Sequence, residues 1–399
     1  MSASPHAVAR APAATRKVLL VAGEASGDLH GAGLVTALRG ADPTIDVWGV
    51  GGDRLRQAGM HILVDTAEVA TMGFVETFGT LGRLVATYRQ LKRFMIEERP
   101  ALLVLIDYPE FNLRLARQAK RRGIPVFYFI GPQVWAWRKG RVRTIAERVD
   151  KLGVVFPFEP ELYNNGRQLA EFIGHPLLDV VRTTRDRAAT RARYGLDPEG
   201  PVVALLPGSR KKEVRYLFPP LHDAGMRLAA EGWQPIVALA ESLSAADLQA
   251  ALHGRPVTVP VAQGDTYNIL AAADAAIVAS GTATLETALL GCPMVIVYRM
   301  APLTHWLARR LVAVRWIGMP NIILNRSVFP ELIQGAATPA AMVDAVRGLQ
   351  ARRAETAAAL RELRGRLGAP GAAARAADLA LSLVPRCRPG TDVEGQAGS

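Results

Sequence analysis

Short, unbroken apolar runs alternate with amphipathic stretches along most of the chain. In the first half the runs fall at residues 17–22 (KVLLVA), 47–50, 101–106 (ALLVLI), 125–130 (PVFYFI) and 152–156. A run that is apolar at every position, rather than every second one, is what a strand covered on both faces needs. Between the runs, apolar residues recur at helical spacing over 81–98 and 112–122, the second stretch closed by Gly123. Strands that alternate with helices in this way predict a parallel sheet with helices on both sides.

A second series begins after Ile173-Gly174-His175-Pro176. Residues 183–201 are Arg-rich with Gly and Pro, and read as a linker carrying a short helix. Strands are then expected at 202–206 (VVALL), 235–240, 257–261, 275–279 and 293–298 (PMVIVY), again with helices between them. The fold class is therefore α/β, with two Rossmann-like domains whose parallel sheets face a cleft. The expected divisions are a disordered tail at 1–16, domains at 17–178 and 179–335, C-terminal helices at 336–385 and a disordered tail at 386–399.

Composition narrows the picture without changing it. A chain of 399 residues that is 50% hydrophobic and 21% charged is not a disordered one, and its length suits two cores. The net charge of +12 comes almost wholly from Arg, 41 against 7 Lys. A basic surface favours an anionic partner: phosphate, nucleic acid or an acidic membrane face. Two cysteines, Cys292 and Cys387, cannot form a disulfide framework, and Cys292 reads as packing. No stretch has the about 18 uninterrupted apolar residues of a membrane span, and the first 16 lack the apolar core of a signal peptide, so a cytoplasmic protein is expected.

Four strand-to-helix turns carry candidate chemistry. Ala22-Gly23-Glu24-Ala25-Ser26-Gly27-Asp28 offers free N–H groups at a helix start, where Ser26 or Asp28 would cap. Glu24 would oppose a bound phosphate there, which favours a sugar or acceptor hydroxyl. In Asp107-Tyr108-Pro109-Glu110-Phe111-Asn112, a carboxylate at the end of a parallel strand faces the crevice where ligands bind in open sheets. A helix starting near Asn112 could be capped by one of these carboxylates but not by both, so one of Asp107 and Glu110 is expected to act as a general base. In Pro207-Gly208-Ser209-Arg210, Gly208 and Ser209 let the backbone approach phosphate oxygens and Arg210 supplies a forked cation. In Ala279-Ser280-Gly281-Thr282-Ala283-Thr284-Leu285-Glu286, Ser280, Gly281 and Thr282 could donate to a diphosphate. Glu286, one turn on, could accept from a ribose diol.

Other features are less specific. Trp135, Trp137 and Arg138 could wall a sugar ring or an acyl chain. Over 69–95, Met72, Phe74, Val75, Phe78 and Leu81 precede Arg83, Arg89, Lys92 and Arg93. That arrangement fits either a helix packed on the sheet or an element holding acyl chains over anionic headgroups. His175 reads as structural, and no His/Cys group has metal-ligand spacing.

The ordered set of these motifs resembles the lipid-A-disaccharide synthases. It runs from about Lys17 to Gln334 and includes Met72-Gly73-Phe74-Val75-Glu76, Val134-Trp135-Ala136-Trp137-Arg138, Phe172-Ile173-Gly174-His175-Pro176 and Met319-Pro320-Asn321. The resemblance implies a GT-B glycosyltransferase that inverts and needs neither metal nor cofactor. It would join UDP-2,3-diacylglucosamine to 2,3-diacylglucosamine 1-phosphate, giving a β-1,6-linked disaccharide 1-phosphate and UDP. The resemblance puts the base at Asp107, involves Glu24, Ser26 and Asn321 in activity, and assigns UDP to the second domain. It also implies a peripheral location on the inner face of the inner membrane and a possible homodimer. The sequence departs from it after Gly335, and at Glu110, where Asp is also used.

Two rivals remain. A UDP-sugar 2-epimerase or a MurG-like transferase would share the fold, although the apolar stretch before residue 85 argues for an acylated substrate. A nucleic-acid-binding protein would need aromatics interleaved with Arg on one face. Here Arg is spread over helices and aromatics are 6%, so no nucleic acid is expected as a partner.

Overall fold

The computed structural model describes residues 15–66, 78–132, 140–300 and 315–384. Strands β1 (Arg16–Ala22), β2 (Ile45–Gly51), β3 (His61–Asp65), β4 (Leu102–Ile106), β5 (Val126–Phe129), β6 (Lys151–Val154) and β7 (Ala170–Phe172) form one parallel sheet. Its order is β3-β2-β1-β4-β5-β6-β7. A second parallel sheet holds β8 (Val202–Leu206), β9 (Gln234–Leu239), β10 (Val261–Gln263), β11 (Ala275–Ala279), β12 (Met294–Tyr298) and β13 (Glu331–Ile333), in the order β10-β9-β8-β11-β12-β13. The first-domain helices are α1 (Ala25–Ala41), α2 (Asp53–Gln57), α3 (Phe78–Glu97), α4 (Pro109–Lys120), α5 (Arg141–Arg148) and α6 (Glu159–Tyr163). After α7 (Leu177–Val180) come α8 (Arg187–Arg193), α9 (Lys211–Ala230), α10 (Ala245–Ala251), α11 (Thr266–Ala272), α12 (Thr282–Leu289) and α13 (Met319–Leu324). The chain closes with α14 (Pro339–Ala351), α15 (Arg353–Arg366) and α16 (Ala372–Leu381).

The unbroken apolar runs have a simple cause. Along β1 and β4, Leu19, Val21, Leu103 and Leu105 enter one core, while Val18, Leu20, Leu102, Val104 and Ile106 enter another on the opposite face. All nine are buried, and each contributes about 1.5–3 kcal/mol on leaving water. The central strands of the second sheet divide in the same way. Edge strands need no such run, because one flank is uncovered. That is why β3, β7 and β13, most of whose residues are only partly buried, were not legible as runs. The strand expected at 257–261 lies at Val261–Gln263 instead. Pro260 lacks an N–H, so it gives only its carbonyl, to Val237 N at 2.8 Å, and the ladder proper starts after it.

The expected linker at 183–201 packs on the second domain. Arg191, 2% exposed, donates to the carbonyls of Ala272, Pro198 and Gly200 and to Asp274 Oδ2, the last at 2.8 Å. Arg187 joins the same carboxylate at 2.6 Å. Part of the Arg excess is thus structural. Of the C-terminal helices, α14 and α15 cover the second sheet, while residues of α16 enter the core under β1 and α1.

The chain therefore crosses between domains twice, and the crossings touch. His175 N donates to the carbonyl of Leu367 at 2.9 Å. Asp179 accepts from the N–H groups of Gly371 at 2.6 Å and Ala372 at 3.1 Å, capping α16. Arg375 donates to the carbonyls of Ile173, Pro370 and Ala369. His175 is buried against Phe156 and its Nδ1 accepts from Leu177 N at 3.2 Å, a structural role.

Candidate functional site

In each sheet the strand order reverses between two central strands, and the crevice at their carboxyl ends is where ligands bind in open α/β sheets. Register places the motifs there. Ala22 lies opposite Ile106 at the ends of β1 and β4, so Gly23-Glu24 and Asp107-Tyr108 are neighbours. Leu206 lies opposite Val278 in β8 and β11, so the 207–210 and 280–282 turns are neighbours as well.

The first crevice is acidic. Tyr108 lays its ring over Gly23, where a Cβ would meet ring carbon at 2.9 Å, so only Gly fits. Glu24 precedes α1, is exposed, and makes no capping hydrogen bond. Ser26 is exposed in the first turn of the same helix, whereas Asp28 turns away to cap α2, accepting from Gly52 N at 2.6 Å and Arg54 N at 3.1 Å. The expected cap on the next helix is corrected by the structure. The helix α4 starts at Pro109 rather than near Asn112, with Tyr108 at the cap position and no side-chain cap bond. Pro pre-sets the helical φ and has no N–H to satisfy, so neither carboxylate is needed.

Asp107 and Glu110 then separate cleanly. Glu110 is exposed and ion-paired with Arg141. Asp107 is part-buried, and among the described residues its Oδ1 accepts only from the adjacent Tyr108 N, at 3.0 Å. Burial, and then the negative charge of Glu24, push its carboxyl above the usual range. Asp107 and Tyr108 both have left-handed backbone, φ 49° and 45°. For residues with side chains of this size that costs about 1–3 kcal/mol each and persists only where surroundings impose it.

The second crevice is basic and open. Arg210 sits at the cap position of α9 with its side chain 77% exposed and only a 3.9 Å approach to Glu213. The loop behind it differs from the expected anion cradle. Glu213 already accepts from Ser209 N at 3.1 Å and lies where a Cβ on Gly208 would be, so Gly208 and Ser209 shape the turn and Arg210 is the group facing outward. At β11, Gly281 has φ 149° and opens α12, and a Cβ there would meet nothing within 4 Å. The first-turn N–H groups at Thr282 and Ala283 have no partner earlier in the helix, and the helix dipole adds positive potential. Ser280 Oγ donates to the carbonyl of Ile317 at 3.1 Å, tying this turn to the 315–318 segment.

Glu286, one turn into α12, accepts from Tyr267 Oη at 2.9 Å, and burial raises its carboxyl. Asn321 is fully buried and its amide is satisfied internally. It accepts from Val328 N and Phe329 N and donates to Phe329 O and Glu331 Oε1. Glu331 in turn accepts from Ile317 N at 2.8 Å and Gly318 N at 3.0 Å, so Asn321 braces the segment that meets Ser280.

Asn112, Tyr128, Tyr267 and Glu331 gave no signal in the sequence as site residues. Tyr128, Tyr267 and Glu331 touch the candidate residues across 10 to 21 positions of chain, which motif spacing does not reveal, whereas Asn112 turns back on Asp107 from only five residues away. Met72, Phe74, Val75, Trp135, Trp137 and Arg138 lie outside the described residues, and Phe78 and Leu81 are placed only as members of the first turn of α3. Among the described residues no three His, Cys, Asp or Glu side chains converge as metal ligands.

Comparison with known proteins bears on the family and the fold. A family model described as Lipid-A-disaccharide synthetase matches residues 18–366. The chain is 46% identical over 379 residues to the lipid-A-disaccharide synthase of Syntrophus aciditrophicus, covering 93% of this chain and 99% of that one. It is 43% identical to that of Geobacter sulfurreducens, covering 93% and 98%. Among solved structures, the calicheamicin glycosyltransferase CalG4 superposes with TM-score 0.62 at 17% identity, covering 94% of this chain and all of that one. The MurG of Acinetobacter baumannii does so with TM-score 0.56 at 15% identity, covering 92% and 99%. A likeness at that identity speaks for the GT-B fold alone.

Proposed function

The chain belongs to the lipid-A-disaccharide synthase family, a glycosyltransferase family, and from that premise we propose that its cleft joins UDP-2,3-diacylglucosamine to 2,3-diacylglucosamine 1-phosphate. The observation that carries the reading is the opposite chemistry of two crevices with the same strand order. One holds a carboxyl raised by burial and by Glu24; the other holds an exposed Arg beside an open helix start.

In the proposed reaction the 6-hydroxyl of the acceptor approaches Asp107, whose raised carboxyl is a better proton acceptor near neutral pH than an ordinary Asp. The hydroxyl oxygen bonds to C1 of the donor sugar while the C1–O bond to the β-phosphate breaks. The proton passes to Asp107 and the bonding pair leaves with UDP. Attack opposite the departing group inverts C1. Negative charge growing on the β-phosphate is met by Arg210 and by the N–H groups of Gly281 and Thr282. Glu286, held by Tyr267, takes the ribose hydroxyls. Glu24 and Ser26 orient the acceptor, and Asn321 supports the turn beside Ser280.

No helix among the described residues is long and apolar enough to cross a membrane. The proposed seat on the anionic inner face of the inner membrane is α3 and the segment before it. Val85 and Ile96 of that helix are 40% and 52% exposed near Arg83, Arg89, Lys92 and Arg93.

The test is UDP release by the purified protein with both acylated sugars in detergent micelles, without added metal, beside Asp107→Asn. Release that requires the acceptor and is lost in the variant supports the proposal. Turnover of an unacylated UDP-sugar with none of the acylated pair would favour a 2-epimerase or another transferase on this fold.

A further inference from the structure

The strained turn at Asp107 is held by two side chains that no ligand can reach. Tyr128 Oη, from β5, donates to the main-chain carbonyl of Asp107 at 2.5 Å. Asn112 Nδ2, from the first turn of α4, donates to the same carbonyl at 2.6 Å and to that of Ile106 at 3.1 Å. Both residues are completely buried. The carbonyl they share belongs to the first of two consecutive left-handed residues, φ 49° and 45°.

A second observation concerns Asn112 alone. Its Oδ1 is buried and has no hydrogen-bond partner among the described residues. Buried polar atoms are nearly always paired, because leaving one unpaired is unfavourable. A side chain there for packing alone would carry no amide. What Asn112 contributes is its donor, aimed at the end of β4.

We propose that Asn112 and Tyr128 are positioning residues, a two-donor clamp that fixes the Asp107–Tyr108 turn and with it the Asp107 carboxyl beside Glu24. The assignment rests on Asp107 being the proton acceptor. Without the clamp the peptide relaxes out of the left-handed region, and the carboxyl moves away from its reactive position. It also moves away from Glu24 and into water, so it titrates at lower pH.

Tyr128→Phe removes one donor with almost no change in volume, and Asn112→Leu removes the other in a side chain of similar size. Each is compared with the wild type in kcat, in KM for both sugars, in the pH–rate profile and in melting temperature. Each is also combined with Asp107→Asn. A small misplacement of a reacting group costs about 10–100-fold in rate, and that loss is expected in kcat with KM within about twofold. The acid limb of the profile should move to lower pH. In the Asp107→Asn background neither substitution should lower the residual rate further. The clamp is overturned if both variants keep the wild-type kcat and acid limb, or if they lose as much in the Asp107→Asn background, as packing damage would. Full turnover by Asp107→Asn alone overturns the base assignment beneath it, and is recognisable because it involves neither clamp residue.

Discussion

The two crevices are built on the same strand order and differ in nearly everything else. Between β1 and β4 the backbone is tight and strained, Tyr108 closes down on Gly23, and the acidic groups are the exposed Glu24 and the part-buried Asp107. Between β8 and β11 a Cβ on Gly281 would meet open space, a helix start is uncovered, and the outward-facing charge is that of Arg210. Topology thus supplies a place where ligands bind and leaves the chemistry to a few side chains. The proposed division is a proton acceptor in the closed crevice and an anion site in the open one.

The strongest way to break the comparison is Asp107→Asn. General-base catalysis contributes about 10²–10⁴-fold, and turnover should fall by that much. A loss below tenfold in steady-state assays would mean that another group in the acidic crevice takes the proton.

Matched glycine substitutions sharpen it. Gly23→Ala drives a Cβ into the Tyr108 ring and should cost about 1–3 kcal/mol of stability, lowering kcat while nucleotide affinity holds. Gly281→Ala has room but an unfavourable φ, so it should weaken nucleotide binding and spare the first crevice. Titration calorimetry beside kinetics separates the two, and identical effects would dissolve the distinction.

Glu24→Gln acts through charge. Removing the neighbouring negative charge lowers the Asp107 pKa, so the acid limb of kcat/KM should move to lower pH. A limb that stays in place would show that burial alone sets it.

A separate effect, on stability rather than turnover, concerns the double crossing that holds the crevices together. His175 lies in the crossing and His30 in α1; burial, followed for His175 by the charge of His30, depresses His30 to about 4 and His175 to about 3. Unfolded histidine titrates near 6.5, so between these values the unfolded chain binds more protons than the folded one. Stability is therefore fully present above about pH 6.5 and is lost on acidification, by up to about 1.4 kcal/mol per pH unit for each His. Urea unfolding at pH 7, 6 and 5 should show the loss, and a flat profile would contradict it.

Much of this was legible in the sequence because central strands of a doubly covered sheet must be apolar at every position. The runs at 17–22, 101–106, 202–206 and 275–279 sit at or within one residue of β1, β4, β8 and β11, and the candidate motifs follow them directly. The edge strands β3, β7 and β13 are mostly only partly buried and left no run. Asp107 and Glu110 were equivalent as letters. What separates them is Arg141, 31 residues on, and the crowding of Glu24 from another strand. Asn321 had its motif but not its direction, since its amide faces inward to Val328, Phe329 and Glu331. Asn112 stood inside the quoted motif, but its letter did not say that its amide would turn back to the Asp107 carbonyl five residues earlier. Tyr128 meets Asp107 only after β4 and β5 have paired, and spacing along the chain carries no trace of that contact.

The central claim is the division of labour, and UDP binding to Asp107→Asn and Arg210→Ala, measured side by side by titration calorimetry, tests it most directly. Asp107→Asn should bind UDP within about twofold of wild type, while Arg210→Ala, losing charge-assisted bonds worth about 1.5–3 kcal/mol, should bind at least about tenfold more weakly. Unchanged affinity in Arg210→Ala, or an equal loss in both, would contradict the account.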